Sequence, residues 1–337
     1  MEKLAAPAFA RLKRDQLLDY KIYAENFDEA KATLEEVRAQ LEQPLTSLEG
    51  IPLGLILEAT SAFAWEATDL LSNAYSAGHP LSELRLLYPS VVEAWESYAR
   101  YSEAYKQSDE GQYSTAAIMP LRDTGYSRAN RLICFAILLG RKNLLPRVAP
   151  LIDYRNPCKD GMLERLLAPY IADRGPAPSE CTRHLPYFKT LKIFNAAPAA
   201  RPQLMAEYLD EWYHASRREP YHESHKRGIS FLGYWSWEAA AFTLVLDIDD
   251  ASYRDAEFYP FELVEYARQN LREAASGHAM ESMTHSLRCK EGEACPLAGQ
   301  WSSLGIPAVT RFFDEGEIMG GAGAPYGLTL WIWGVNP

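Results

Sequence analysis

His214, His222 and His225, with Glu211 and Glu223 close by, are the densest group of potential metal ligands in the sequence. Helical zinc hydrolases place two histidines four residues apart, so that both imidazoles share one face and a glutamate between them acts as base. Here His222 and His225 are three apart and no third ligand is implied. Arg217, Arg218, Lys226 and Arg227 surround them with a positive field that opposes a cation, so a solvated loop is expected and no metal. Cys289 and Cys295, followed by Pro296, could form a local disulfide or half of a zinc site. No second Cys/His pair follows at finger-like spacing, and two reduced cysteines shaping a turn are expected. The run Gly320-Gly321-Ala322-Gly323 lacks the Lys-Ser/Thr of a phosphate loop and leads into a strand, which makes it a connection. No Gly-x-Ser-x-Gly elbow is present, so no catalytic residue is assigned and no cofactor is expected.

The acidic run after residue 246 is the more informative chemistry. Asp247, Asp249 and Asp250 are three aspartates in four residues, with Asp255 and Glu257 just beyond. One aspartate suffices to cap a following helix, where it satisfies free backbone donors and favours the dipole. Two uses therefore stay open: capping or internal pairing with Arg254 and Arg268, and presentation of negative charge to a basic partner.

These groups must be positioned by a large, mostly helical body. At 337 residues the chain exceeds the size at which one core usually keeps growing. Arg11 to Gln43 reads as an amphipathic helix pair, with Leu17, Tyr20, Tyr23, Phe27, Ala30, Leu34, Val37 and Leu41 at three- and four-residue steps. Leu55 to Tyr75 is strongly apolar and stops at Gly78-His79-Pro80; Val91 to Tyr105 repeats the helical pattern. Buried runs follow at Leu132 to Leu139 and Met162 to Ile171, and helices at Gln203 to Arg217, Tyr234 to Leu246 and Phe261 to Ser276. Gly327 to Gly334 favours a strand, with Leu328, Leu330 and Ile332 on one face and Thr329, Trp331 and Trp333 on the other. The expected fold is mainly α, a helical bundle-like body with a small β-rich appendix, divided as an N-terminal helical subdomain at 1–120, a helical domain at 121–277 and a β-rich region at 278–337. Trp65, Trp235, Trp237 and Tyr259 are expected in the core. Trp65-Glu66-Ala67 with Tyr88-Pro89 and Trp237-Glu238-Ala239 with Tyr259-Pro260 share a spacing that suggests two related helical subdomains.

A net charge of −11 disfavours a general nucleic-acid binder, which needs clustered Lys and Arg, and suits a basic partner. Five cysteines, widely spread, fit reduced thiols. The N-terminus has no long apolar core and no segment reaches the roughly 18 apolar residues of a membrane span, so a cytoplasmic protein with no membrane partner is expected.

Gly233-Tyr234-Trp235-Ser236-Trp237-Glu238-Ala239-Ala240-Ala241, the Leu246 to Asp250 exit, Tyr259-Pro260 and the step from Leu263 to Tyr266 resemble helical immunity proteins that bacteria pair with polymorphic toxins, in particular the PoNi-like class. Arg183 to Lys189, Tyr208 to Tyr213 and the tail from Tyr326 to Trp333 extend the resemblance over roughly the last half of the chain. It implies stoichiometric binding and neutralisation of a cognate secreted antibacterial toxin, delivered by a type VI or contact-dependent system, with Asp247, Asp249, Asp250, Asp255 and Glu257 as toxin-facing residues. Charge and the resemblance favour a nuclease as the toxin, with a deaminase or an ADP-ribosylating toxin as alternatives. The glycine- and cysteine-bearing tail departs from the family pattern and leaves the toxin's chemistry open. Other classes compatible with the sequence are an enzyme reversing a toxin-made modification and a secretion chaperone or adaptor for an effector.

Overall fold

The apolar run that begins near residue 53 sets the architecture. In the computed structural model, which describes residues 1–41, 50–228, 230–272, 288–303, 309–322 and 329–333, it forms α3 (Leu53–Ala77). Helix α3 packs along both α2 (Tyr20–Leu41) and α4 (Leu81–Gln107). From Ala67 to Ala77 it is buried at almost every position, and six of those eleven residues are Ala, Ser or Thr, small enough for helices to approach on both sides. Gly78 ends α3 at φ +93°, and its N–H returns to the Ala74 and Tyr75 carbonyls. A Cβ there would lie 2.0 Å from the Leu12 carbonyl oxygen, so only glycine fits the turn.

The expected helix pair from Arg11 to Gln43 is broken differently. A short α1 (Ala6–Leu12) precedes a turn in which the Asp15 carboxylate accepts from the N–H groups of Leu17 and Leu18, and α2 starts at Tyr20. The expected core position Leu41 lies outside the described side chains. Helix α4 starts ten residues before the expected segment and runs straight through Pro89. Proline cannot donate to the carbonyl four residues back, which here is Arg85. Arg141 Nε takes that carbonyl at 3.1 Å, so a long-range side chain replaces the missing intrahelical bond.

Beyond the polar loop the chain turns inward. Helix α5 (Gly125–Leu138) is buried on nearly every side and packs against α6 (Leu145–Asp153), α7 (Gly161–Leu167) and α11 (Trp237–Val245). Asp160 caps α7 by accepting from the N–H groups of Met162 and Leu163, and also accepts from Thr182. Between α7 and α11 come α8 (Thr190–Asn195), α9 (Arg201–Ala215) and the single turn α10 (Ser224–Arg227); residues 261–272 are helical.

The chain separates into two compact units, Met1–Arg268 and Gln269–Pro337. The second unit carries a four-stranded antiparallel sheet, β1 (Arg288–Lys290), β2 (Gly299–Ser303), β3 (Thr310–Phe313) and β4 (Leu330–Trp333), in the order β1-β4-β2-β3. Cys289, Cys295, Trp301, Phe313, Met319 and Trp331 form its core. Both buried indoles find carbonyls, Trp301 at Leu297 and Trp331 at Gly320. The expected strand from Gly327 to Gly334 is seen over Leu330–Trp333; residues 323–328 and 334–337, like 273–287, lie outside the described residues. The architecture is thus mainly α with a small sheet near the C-terminus.

Two expectations need correction. Trp65 is 40% exposed, because Ala64, Ala67, Thr68 and Leu71 occupy the inward face of α3 and position 65 falls outside it; the Arg128 guanidinium covers the ring at 4.3 Å. The indole filling the α3/α4 interior is Trp95, fully buried and donating to Thr68 Oγ1 at 2.9 Å. The matched spacing of the two halves does not give matched structure: Tyr88-Pro89 lies inside α4, whereas Tyr259-Pro260 precedes a helix. Trp95→Ala should cost about 3–5 kcal/mol in chemical denaturation and Trp65→Ala under about 1 kcal/mol. Equal losses would contradict this assignment of core and surface.

Candidate functional site

Every residue of the Tyr-Trp-Ser-Trp-Glu segment ties another element down. The Tyr234 N–H donates to Asp15 Oδ2 at 2.8 Å and the Trp235 indole to Ser76 Oγ at 2.8 Å. Trp237, at the start of α11, packs on Tyr75 and Phe135 at ring separations of 5.3 and 4.8 Å. Gly233 adopts φ +94° with Ser76 against it, where a side chain has no room. Trp235, Trp237 and Tyr259 are buried.

Glu238 is the centre of this region. It is 1% exposed, and Oε1 accepts from Ser236 Oγ, Tyr208 OH and the Trp212 indole at 2.7–2.8 Å, while Oε2 accepts from Asn130 Nδ2 at 3.0 Å. Burying a carboxyl group is costly unless its polar atoms are paired, and four converging donors pair them. The network joins α5, α9 and α11 at one point. A small cavity of about 100 Å³ beside it is walled by Ser72, Asn130, Arg131, Tyr221 and Glu238. Arg131 there pairs with Asp69 at 2.6 Å and bonds Ser72.

The acidic exit splits in two. Asp250 is 4% exposed, and its carboxylate accepts from Arg268 Nη1 at 2.9 Å and from Tyr259 OH at 3.1 Å, so it faces inward and is corrected from partner-facing to internal pairing. Asp247, Asp249, Asp255 and Glu257 are exposed. Asp247 sits in the left-handed region at φ +49° as the chain leaves α11, and Asp249 Oδ1 accepts from the Ala251 N–H at 3.1 Å. The 251–258 loop and Asp210 of α9 form a shallow cavity of about 310 Å³ whose wall includes Asp255 and Glu257. Arg254, the one cation in that wall, is drawn off by Glu265 at 3.3 Å and by the Phe261 ring.

The other sequence candidates are used internally. His225 Nδ1 meets Tyr234 OH at 2.7 Å, the His222 ring lies 4.5 Å from that of Tyr213, Glu223 pairs with Lys226, and Glu211 with Lys189. Among the described residues no group of three or more His, Cys, Asp or Glu could hold a metal ion. Cys289 and Cys295 are buried free thiols, and desolvation pushes that of Cys289 up.

Sequence reasoning missed a cleft between α2 and α3. Asn26, Glu29, Glu66, Asp69 and Asn73 line a cavity of about 80 Å³. Glu66 is pushed up to about 7, by burial first and then by the neighbouring Asp69 and Glu29, with Arg128 opposing. The residues are scattered over two helices, and only their i, i+3 pairing on α3 was visible beforehand.

Residues 158–263 fit the family model described as PoNe immunity proteins (PoNi), C-terminal, and this match supports the class of polymorphic-toxin immunity proteins. That span holds Glu238, its donors on α9, and the whole acidic loop. The crystal structure of protein PA2201 from Pseudomonas aeruginosa is similar with a TM-score of 0.63, covering 79% of this chain and 97% of that one at 23% identity, which shows a shared fold. No curated protein matches the chain.

Two outcomes follow from Glu238 and the half-buried Glu66. Glu238→Ala strands donors on α5, α9 and the N-cap of α11 and should cost on the order of 3 kcal/mol or more, measured by denaturant unfolding; a loss below about 1 kcal/mol would show that the network is dispensable. For Glu66, the folded protein retains a proton that the unfolded chain releases between pH 4.5 and about 7, so stability falls as pH rises through that window and is level above it. Glu66→Gln should flatten that part of the melting-temperature profile, and an unchanged slope would assign the dependence to other groups.

Proposed function

We propose that the protein is an immunity protein that neutralises a cognate secreted antibacterial toxin by stoichiometric association, in the cytoplasm of the cell it protects. The match of 158–263 to the PoNi C-terminal region carries the reading. Support for the binding face comes from the same span: Asp247, Asp249, Asp255 and Glu257 are exposed on a loop whose base is held by the inward Asp250 and by burial of Tyr259. A loop anchored in this way presents fixed negative charge, which suits a basic partner and speeds encounter. A nuclease is the toxin we favour, because enzymes acting on nucleic acid carry positive surfaces for their substrate. Such a blocker needs a standard interface of roughly 1,600 Å² and no catalytic residue of its own. The sheet unit has no role in this reading. No described helix is long and apolar enough to cross a membrane.

Association with the toxin encoded beside this gene should be measured at two salt concentrations for wild type and for Asp249→Lys/Asp255→Lys. We expect an association rate lowered about tenfold or more at low salt, a weaker salt dependence, and an unchanged melting temperature, since both side chains are exposed. Asp250→Asn should instead lower the melting temperature first. An unchanged rate in the double lysine variant removes the loop from the interface. Protection of cells with no complex in solution overturns sequestration itself.

A further inference from the structure

A chain with a net charge of −11 keeps one concave surface strongly positive. Arg122, Arg183, His184, Arg217, Arg218 and Glu219 line a cavity of about 490 Å³, within the size range of small-molecule sites. Four arginines and one glutamate are in that lining, and the carboxylate is already committed. Glu219, 6% exposed, accepts from Arg183 Nε at 3.1 Å and Nη2 at 2.6 Å. Arg183 is further fixed by donating from Nη1 to the Arg122 carbonyl at 3.2 Å, which leaves two of its five N–H groups uncommitted to these contacts.

Arg122, Arg217 and Arg218 are exposed and form no ion pair among the described residues. The last two follow the C-terminus of α9, closed by the Ser216 N–H on the Trp212 and Tyr213 carbonyls. The negative end of the helix dipole helps to hold two adjacent cations, but it satisfies none of their side-chain donors. His184 adds a planar wall, its ring stacked on Phe188 at 5.0 Å.

We propose that this cavity binds a small phosphate-bearing anion with at least two negative charges, of the diphosphate or nucleotide class. Planar guanidinium forks pair with phosphate oxygens through two parallel N–H bonds each, and three arginines lining one cavity without a carboxylate partner outnumber what a single monoanion engages. Concavity and the overall negative charge select a compact ligand over a long polyanion, which would have to lie along the acidic surface outside the cavity. Arg183, locked by Glu219, serves as the rigid floor, while Arg122, Arg217 and Arg218 close on the ligand.

Calorimetric titration of the full chain with inorganic pyrophosphate and, separately, ADP tests this. We expect saturable binding of at least one. Stronger binding of ADP assigns a nucleotide and use of the His184 wall, and equal binding assigns the diphosphate alone. Arg217→Gln/Arg218→Gln and Arg122→Gln should each weaken it by about tenfold or more, as loss of charge-assisted bonds requires, with melting temperatures kept because these side chains are exposed. Arg11→Gln, on the exposed side of α1, should change nothing. No heat with either ligand up to about 5 mM, or binding retained in both site variants, overturns the proposal. So does a short DNA duplex that binds at the arginines and is not displaced by pyrophosphate.

Discussion

A carboxylate buried at 1% exposure holds the helical unit together. Glu238 draws donors from α5, α9 and its own N-terminal turn onto two oxygen atoms, and no single helix pair could supply them. The apolar contacts around it are forgiving, since core residues of similar volume interchange at modest cost. A carboxylate with four donors is not forgiving: shift α9 by one residue and the Tyr208 hydroxyl and the Trp212 indole, four apart on one face, both miss it. Register of α9 against α11 is thereby fixed, and with it the place where the chain leaves α11 and turns into the acidic loop.

The same logic separates Asp250 from its neighbours. Asp247, Asp249 and Asp250 differ little as letters, yet Asp250 alone meets Tyr259 and Arg268, because the left-handed residue at Asp247 rotates the chain so that Ile248 and Asp250 point inward and Asp249 outward. Buried Ile248 and Asp250 then act as two pegs on alternate positions. What remains on the outside has its backbone pinned beneath it, which is how a loop presents charge without spending much conformational entropy on association.

How much of this was legible beforehand follows from what kind of interaction fixes each residue. The helical class, the aromatic spacing and the strand near the C-terminus are local patterns, and α9, α11 and β4 lie close to where periodicity puts them. Pairings between distant residues are not local. Nothing near Pro89 shows that Arg141 will take the carbonyl it frees, so a proline that usually ends a helix sits inside one. Trp65 looked like core because it is large and apolar, but α3 already fills its inward face with alanine and threonine, and burial is decided by the face, not the residue type. Glu238, the residue on which most depends, was read as part of a resemblance; its donors are 2, 26, 30 and 108 residues away, and only the fold brings them together.

Charge in this molecule is sorted by shape. The acidic loop after α11 is exposed and walls only a shallow cavity, where a large partner can reach it; the arginines near the end of α9 line a larger hollow, where a compact ligand fits. Both features are attached to the same helix, through Asp210 near one cavity and Arg217 near the other. Seven residues at about 1.5 Å each separate those positions along α9 and its C-terminal turn, about 10 Å in all and more than the Debye length of about 8 Å at physiological salt. At that range the opposite fields are largely screened from each other. The acidic loop can therefore steer a basic protein while the hollow keeps its attraction for an anion, and the two surfaces are free to act independently.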